Sequence, residues 1–512
     1  MTYRYITTPI YYVNDRPHMG HAYASIHADI MARYLRAAGH QVLLLTGADA
    51  HGEKIAKAAM QANEAPHAFA ERHARSFEEA WRRLSVEPDL FVRTTASTHA
   101  EVVSACLTRL FEAGEIYLAD YEGLYSIGQE RFVTDKELVD GKLPEDKDPP
   151  VLRREPNYFF RMDAHRDWMR QLLLDTPDLI QPTQYRSEIL KLLEEPIGDL
   201  SISRPVDRLD WGIPIPWDAG HVTYVWFDAL LGYVSPLGYP GQPAFADYWP
   251  SVQHVIGKDI LRTHTLFWLS MTHALGIAPY RRLHVSGHLL GSDGRKMSKS
   301  LGNGVDPLKA AETYGVDALR YTLIREISFG FDGIISNTVI EQRLNRDLAD
   351  DLGNLASRTL SMVTKYRDGC VPAPAAYEAS EVAIIARATE LPAMVLALVE
   401  EMKLGRAAGQ IMEFVKLLNG YVASSAPWVL AKDSKAPDRL DTVLYTLLEA
   451  LYSVSNLLSP VMPGKMNELR SLLGVSAEPR WNAPWGHGVK PGSVVREGIL
   501  YPKRPSGIGD DV

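Results

Sequence analysis

The first fifty residues constrain the fold more than any other part of the chain. Residues 3–13 alternate in polarity and are rich in Tyr, Ile and Thr, which is typical of a strand. After Pro17, apolar residues recur at helical spacing as far as Gly39, and residues 41–46 form a short, continuously apolar run. A strand, a helix and a second buried strand make one βαβ unit, so the pattern predicts a nucleotide-binding α/β domain.

The predicted turn from the first strand into the first helix carries two histidines. His18 and His21 lie in the segment HMGH and, being three residues apart, face the same side of the helix. Amide N–H groups and the helix dipole favour a phosphate at such a turn, and Gly20 lets a ligand approach the backbone without meeting a Cβ. Two imidazoles there can donate hydrogen bonds to phosphate oxygens. A metal pair or two ordinary surface histidines is the alternative interpretation.

A second basic motif, KMSKS, occupies residues 296–300 after the glycine-flanked loop at 291–295. Lys296 and Lys299 on a mobile loop can close on a triphosphate and neutralise charge on the leaving pyrophosphate. A lysine pair is more often part of a solvated basic loop. The identity of all five letters nevertheless favours the phosphate-binding interpretation.

Composition limits the cellular setting and the kind of partner. With 512 residues the chain has room for roughly three to four domains. Its two cysteines, Cys106 and Cys370, provide no disulfide framework, so we predict a cytoplasmic protein. The net charge of −9 offers no global attraction to nucleic acid, so any RNA contact must be a local patch. We find no secretion signal and no apolar run long enough to cross a bilayer, so no membrane association is expected.

Together the two motifs resemble the HIGH and KMSKS signatures of class I aminoacyl-tRNA synthetases, which share one active site. Further segments resemble methionyl-tRNA synthetases, and the resemblance runs from residue 5 to about 428. These segments are YITTPIYYVNDRPHMGHAY from residue 5, TGADAHGEKI from 46, VWFDALLGY from 225, IGKDILRTHTLFW from 256 and NLASR from 354. The resemblance implies an α/β fold, with a Rossmann-like parallel-sheet catalytic domain and a connective insertion, followed by an all-α anticodon-binding helical bundle.

With that resemblance, periodicity divides the chain into five parts. The predicted parts are a first catalytic half at 1–115, a connective-peptide insertion at 116–220, a second catalytic half at 221–285, a KMSKS loop and stem-contact region at 286–340, and a helical anticodon-binding domain with a tail at 341–512. Prolines and charges in the insertion predict exposed loops without a main core. Helical leucine stripes such as Leu344, Leu348, Leu352 and Leu355 support the last part.

The resemblance implies a ligase that uses ATP and Mg²⁺ to form methionyl-adenylate from L-methionine. The methionyl group then passes to the 3′-terminal adenosine of tRNA(Met), initiator tRNA included. His18, His21, Lys296 and Lys299 would be the catalytic residues, acting by charge and position. ATP would contact these four side chains together with Gly20, Gly257 and Asp259. Capping of the following helix is the alternative role for Asp259.

The same resemblance implies a methionine pocket in which Asp49 takes the substrate ammonium. Its other members would be Ile10, Tyr12, Trp226, Ala229, Leu230, Tyr233, Ile260 and His264. A thioether is polarisable and favours aromatic rings, so this set suits a methionine side chain. Taken alone, Trp226 or Tyr233 would favour core packing, but their seven-residue spacing within the resembling segment favours the pocket.

Three residues of the helical part are implied to read the CAU anticodon. Asn354 and Arg358 lie four apart on one helical face, and Trp428 follows Pro427. Splayed bases are recognised by stacking and by hydrogen bonds to their edges, which these residue types provide. Individually they also suit a polar helix face, a surface charge and a buried anchor.

Three features depart from the family pattern. No cysteine lies between Cys106 and Cys370, so zinc knuckles are absent and we expect no structural zinc and no metal-ligating residues. Ser286 stands where the family usually has histidine, which leaves the adenine contacts of Ser286 and His288 open. The chain ends before the extra C-terminal domain of some relatives, so a monomer is expected.

Other functions fit the sequence less well. Synthetases for leucine, isoleucine and valine need larger editing insertions, and the cysteine enzyme needs thiolate zinc ligands. A nucleotidyltransferase would leave the helical third without a role. The alternative from another class is a non-catalytic tRNA-binding paralogue, against which the two intact phosphate motifs argue.

Overall fold

The predicted βαβ unit is present at the start of the chain. In a computed structural model, which describes residues 2–127, 131–133, 138–143, 148–297, 302–433 and 437–504, β1 is Tyr3–Tyr12, α1 is Met19–Ala37 and β2 is Gln41–Asp49. The two strands pair in parallel, with Tyr12 opposite Asp49 at their carboxyl ends. The second strand continues three residues beyond the predicted run, which carries Asp49 to the edge of the sheet.

A parallel sheet forms the centre of the catalytic part. The remaining strands in chain order are β3 (Leu90–Arg93), β4 (Ile116–Ser126), β5 (Arg131–Val133), β6 (Val151–Phe160), β7 (Ile180–Gln181), β8 (Leu200–Ser201), β9 (Ser203–Pro205), β10 (Pro214–Ile215), β11 (Asp218–Thr223), β12 (Gln253–Gly257), β13 (Arg282–Ser286), β14 (Leu289–Leu290) and β15 (Gly333–Ile334). Among the described residues, six strands pair in parallel in the order β3-β2-β1-β12-β13-β7. The strand order reverses between β1 and β12, and open α/β sheets bind ligands beside such a point, at the carboxyl ends of the strands.

Helices cover this sheet and then form the last third of the described chain. They are α2 (Glu53–Gln61), α3 (Pro66–Arg83), α4 (Ser97–Glu112), α5 (Arg166–Asp175), α6 (Thr183–Leu192), α7 (Val225–Leu231), α8 (Pro243–Tyr248), α9 (Leu261–Ala274), α10 (Pro307–Tyr314), α11 (Val316–Glu326), α12 (Asn337–Arg343), α13 (Asn354–Arg367), α14 (Ala379–Glu400), α15 (Leu404–Ser425), α16 (Pro427–Leu430), α17 (Pro437–Leu458) and α18 (Pro463–Leu472). A π-helical segment, Leu344–Gly353, joins α12 to α13.

The insertion at 116–220 contains more structure than predicted. Its strands form an antiparallel sheet in the order β5-β4-β6-β8 within the described residues, and β7 joins the central sheet beside β13. Phe160, Met169 and Ile189 are fully buried in the same core as Trp268 of α9. The expectation of exposed loops without a main core is therefore wrong, because this segment shares its core with the catalytic half that follows it.

The change to helices after residue 340 is confirmed for the described part of the chain. The predicted stripe of Leu344, Leu348, Leu352 and Leu355 is buried, although its first three members lie in the π-helical segment rather than in an α-helix. After α18 the described chain has no further helix or strand and lies along the bundle. Glu449 of α17 holds part of this tail by accepting hydrogen bonds from the backbone N–H groups of Gly486, Gly488 and Val489.

One helix of the described chain, α14, is long and apolar enough to cross a membrane by length and composition. The expectation that no apolar stretch reaches that length is wrong on this point. In the structure α14 packs against α15 and α17, with Ile384, Leu391 and Val399 buried in the core. Apolar composition of this kind also suits the core helix of a bundle.

Candidate active site

A cavity of about 780 Å³ opens at the carboxyl ends of the central strands. Tyr12 ends β1, Asp49 ends β2, Gly257 ends β12 and Ser286 ends β13, and all four line the cavity. Parallel strands end at the same edge of a sheet, so residues distant in sequence meet here. The cavity also contains the other predicted substrate-binding residues that the structure describes: Ile10, His18, Gly20, His21, Trp226, Ala229, Leu230, Tyr233, Asp259, Ile260, His264 and Lys296.

His18 and His21 form a reciprocal cap at the start of α1. The Nδ1 atom of His18 accepts from the backbone N–H groups of Gly20 and His21, at 3.1 and 3.4 Å. In return, the His18 N–H donates to Nδ1 of His21 at 3.3 Å, and the two rings stack with centroids 3.5 Å apart. Because Nδ1 accepts in both rings, the neutral form of each imidazole carries its proton on Nε2. Each ring can therefore offer an Nε2–H donor to an anion.

This cap changes the predicted role of the turn. The amides of Gly20 and His21, which we expected to bind phosphate directly, donate to the His18 ring. A Cβ on Gly20 would lie 3.0 Å from Cε1 of His18, so this glycine makes room for an imidazole. These two amides therefore already have a protein acceptor.

The apolar end of the cavity contains buried aromatic groups around His264. Tyr233 and His264 are 3% and 1% exposed, and their rings meet edge to face with centroids 5.6 Å apart. Burial lowers the pKa of His264 to about 3, so its imidazole is neutral near pH 7. Neither ring nitrogen has a hydrogen-bond partner among the described residues. Buried polar atoms are rarely left unpaired, so this ring suits a weak polar contact from a ligand.

A hydrogen bond that sequence reasoning missed supports the wall of this pocket. His51, which follows β2, lies 2.6 Å from Asp228 of α7 between Nδ1 and Oδ2, and Asp228 is fully buried. The same two elements supply Asp49 and Trp226 to the cavity. In the sequence, the two residues are marked only by their positions in the segments TGADAHGEKI and VWFDALLGY, which resemble the family. Their contact spans 177 residues of sequence.

The end of β12 brings Gly257 and Asp259 to the cavity wall. A Cβ on Gly257 would lie 2.4 Å from Oδ1 of Asp259, so the glycine lets this carboxylate fold back towards the strand end. The helix α9 begins two residues later with no side-chain cap. The structure therefore gives no support to the alternative role of Asp259 as a helix cap.

Ser286 and His288, whose adenine contacts were left open, both line the cavity. Asp332 accepts a hydrogen bond from the backbone N–H of His288 at 2.7 Å and another from Nζ of Lys258 at 2.7 Å. Burial lowers the pKa of His288, and the nearby Lys296 and Lys258 lower it further. A neutral imidazole thus stands two residues after the position where the family usually has histidine.

The KMSKS segment is only partly described. Lys296 lines the cavity, whereas Lys299 lies outside the described residues, together with its neighbours at 298, 300 and 301. The side-chain amide of Asn303 donates to Asp293 and to the carbonyl oxygen of Lys296, at 3.1 and 3.4 Å. These bonds connect the residues before the KMSKS segment with those that follow it.

The three predicted anticodon residues lie on the helical bundle. Asn354 and Arg358 occupy the first two turns of α13, and Cζ of Arg358 lies 5.8 Å from the ring centroid of Trp428 in α16. Trp428 is 39% exposed, which is unusual for a tryptophan that serves only as a buried anchor. The structure thus brings a cation and an accessible aromatic ring together on one surface.

The described residues contain no group of three or more His, Cys, Asp or Glu side chains arranged to hold a metal ion. Mg²⁺ commonly binds through substrate phosphates and few protein ligands.

Comparison with known proteins places these features in context. A family model described as class I tRNA synthetases (M) matches residues 4–149 and 137–360. The chain is 49% identical to a protein of Deinococcus radiodurans named methionine–tRNA ligase, over 98% of this chain and 74% of that one. It is 37% identical to a Rickettsia felis protein of the same name, with 98% of each chain covered.

The chain is also similar to solved structures of methionyl-tRNA synthetase. The chain superposes on Mycobacterium tuberculosis methionyl-tRNA synthetase in complex with methionyl-adenylate with a TM-score of 0.94 and 38% identity, covering 98% of this chain and 100% of that one. The free form of the Mycobacterium tuberculosis protein gives a TM-score of 0.88 and 35% identity, with 99% of each chain covered.

Proposed function

The chain belongs to the methionyl-tRNA synthetases of class I, and from this premise we propose its function. It is a methionine–tRNA ligase, which activates L-methionine with ATP to methionyl-adenylate and then charges tRNA(Met). One observation carries this proposal: a single cavity combines the His18 and His21 pair with Asp49 and with the buried neutral ring of His264. A phosphate-binding end and an amino-acid-binding end are both needed for adenylate formation.

In the activation step the methionine carboxylate attacks the α-phosphorus of ATP, and pyrophosphate leaves. No side chain needs to act as a nucleophile, because the substrate supplies its own. The Nε2–H groups of His18 and His21 donate to phosphate oxygens as negative charge develops, and Lys296 with Lys299 neutralises the leaving pyrophosphate. When bound, Mg²⁺ would be held mainly by the triphosphate oxygens and would supply further positive charge there.

Methionine is recognised by charge at one end and by shape at the other. Asp49, 7% exposed at the end of β2, takes the ammonium group. The thioether enters the aromatic end, where Tyr233 and His264 meet it beside Trp226. Ile10, Tyr12, Ala229, Leu230 and Ile260 complete the wall.

The adenosine part of ATP occupies the wall formed by β12 and β13. The carboxylate of Asp259 suits the ribose hydroxyls, since a carboxylate accepts hydrogen bonds from hydroxyl donors. Gly257 lines the same wall and leaves room for that carboxylate at the end of β12. Ser286 and His288 provide polar groups for the base in place of the usual histidine.

The cognate RNA is tRNA(Met), including the initiator form, read through its anticodon by Asn354, Arg358 and Trp428. We propose that the protein acts in the cytoplasm, where Cys106 and Cys370 remain the free thiols found in the structure. We further propose that it acts as a monomer. Its domains follow the five parts that the sequence predicts.

Amino-acid-dependent exchange between ATP and pyrophosphate tests the activation step. With all twenty amino acids compared, we expect exchange with methionine alone, and a large loss in the Lys299→Ala variant. Exchange with a different amino acid would overturn the pocket assignment. If no amino acid supported exchange, the activity would be absent and a non-catalytic tRNA-binding paralogue would explain the fold.

Removing the exposed ring of Trp428 tests the anticodon surface. Because base stacking on an aromatic ring contributes about 1–3 kcal/mol, Trp428→Ala is expected to lower kcat/KM for aminoacylation of tRNA(Met) roughly 5- to 150-fold. Exchange without tRNA is expected to stay unchanged, since α16 lies in the bundle. Val429→Ala is the matched control, because Val429 is the next residue of α16 and is 57% exposed. Equal effects of both substitutions would contradict a stacking role.

A further inference from the structure

The cavity is lined by a lysine that belongs to neither the HMGH nor the KMSKS motif. Lys54 lies on α2, close after Asp49 in sequence, and its side chain lines the cavity wall. Its Nζ atom is 5.8 Å from the ring centroid of Tyr12. His18 and His21 enter from α1 and Lys296 from the loop after β14, whereas Lys54 enters from the side that carries Asp49.

The first turn of α2 is held in a fixed orientation. Glu53 pairs with two arginines of the insertion, Arg153 at 3.1 Å and Arg208 at 2.9 Å. Burial alone would raise the pKa of Glu53, but the two arginines outweigh it and lower this pKa, so the pairs stay charged. On the other side of Lys54, the side chain of Ile55 is fully buried in the core.

Three successive residues therefore face three surroundings. Glu53 contacts the insertion, Lys54 lines the cavity, and Ile55 fills the core beneath the helix. Rotation of α2 would break the contacts of Glu53 and Ile55 together. The backbone that carries Lys54 is consequently held in one orientation. A group that acts on reacting atoms needs such positioning.

Charge explains what such a group does at this position. Adenylate formation brings two anions together, the methionine carboxylate and the α-phosphate. Asp49 lies on the same wall but pairs with the methionine ammonium, so the repulsion between the two reacting anions remains. An ammonium between these groups reduces their repulsion and stabilises the charge that grows on the phosphate oxygens as the new bond forms.

We propose that Lys54 is a further catalytic residue for methionine activation, which contacts the reacting carboxylate and the α-phosphate oxygens. A carboxylate oxygen forms a bond to the α-phosphorus, the bond from that phosphorus to the bridging oxygen breaks, and pyrophosphate leaves with the electron pair. Lys54 keeps its proton throughout. The inference rests on the proposed function, because it assigns a group to the activation step.

Steady-state exchange kinetics with methionine tests the inference. Lys54→Met keeps the length of the side chain and removes its charge, so it is expected to lower kcat about 100-fold while KM for methionine changes less than threefold. Lys54→Arg restores part of the loss. Lys57→Met is the matched control, because Lys57 lies one turn further along α2 and is exposed, and it is expected to behave as wild type.

The outcomes separate this inference from the proposed function. A kcat for Lys54→Met within threefold of wild type, or a change in KM alone, would overturn the role of Lys54 and leave the function in place. Absence of methionine-dependent exchange in the wild type would overturn both. Thermal unfolding of each variant is measured alongside, and if Lys54→Met fails to fold, Lys54→Gln is assayed against the same limits.

Discussion

Replacing His21 by asparagine is expected to lower kcat for methionine-dependent exchange by about 10²- to 10³-fold, the cost of removing one donor from a developing charge. The ring of His21 receives the His18 N–H on Nδ1, which leaves Nε2–H as its donor towards the cavity. An asparagine oxygen can still accept that backbone bond, so the cap at the start of α1 is retained. Its amide is too short to place a donor where Nε2 lies.

The control for this prediction separates chemistry from folding. The His21→Asn variant is expected to unfold at the wild-type temperature and to bind methionine normally in calorimetry, because the aromatic end of the pocket is unchanged. His487→Asn provides the comparison, since His487 is exposed in the tail. Exchange in His21→Asn within tenfold of wild type would show that the imidazole is not aimed at the transition state.

The sequence was most informative where structure depends on neighbouring residues. The first βαβ unit, the turn with His18 and His21, and the buried stripe from Leu344 to Leu355 were each predicted from residues close together in the sequence. The insertion was less predictable. Its strand β4 pairs with β6, which lies beyond a proline-rich and charged segment, and pairing across such a distance leaves no local signal.

The same distinction applies to the candidate site. Motifs located the residues of the cavity, because each motif is a short run of the chain. They did not show that Nδ1 of His18 would cap α1, since a ring orientation is decided by geometry. Nor did they reveal the contact of His51 with Asp228, because such pairs leave no periodic pattern in the sequence. Lys54 stood inside a quoted segment, but only the structure placed it in the cavity.

A buried ion pair holds the catalytic part and the helical part of the chain together. Arg320 of α11 and Asp29 of α1 are both fully buried, and Nη2 of Arg320 lies 2.6 Å from Oδ2 of Asp29. The guanidinium also donates to four carbonyl oxygens, those of Leu84, Ser85, Pro460 and Val461. One side chain thus connects α1, the turn after α3 and the turn after α17.

Arg320→Met is therefore expected to lower the free energy of unfolding by about 3–5 kcal/mol, the cost of removing one partner of a buried pair. Methionine fills much of the same volume, but the four carbonyl oxygens lose their donor. Among the residues that the structure describes, Asp29 then keeps only Arg33 as a charged partner. Urea unfolding followed by tryptophan fluorescence measures the change. Arg75→Met is the control, because Arg75 pairs with Glu71 on an exposed face, where ion pairs contribute little. A loss below 1 kcal/mol for Arg320→Met would mean that water or neighbouring donors replace the guanidinium, and that packing rather than this ion pair joins the two parts.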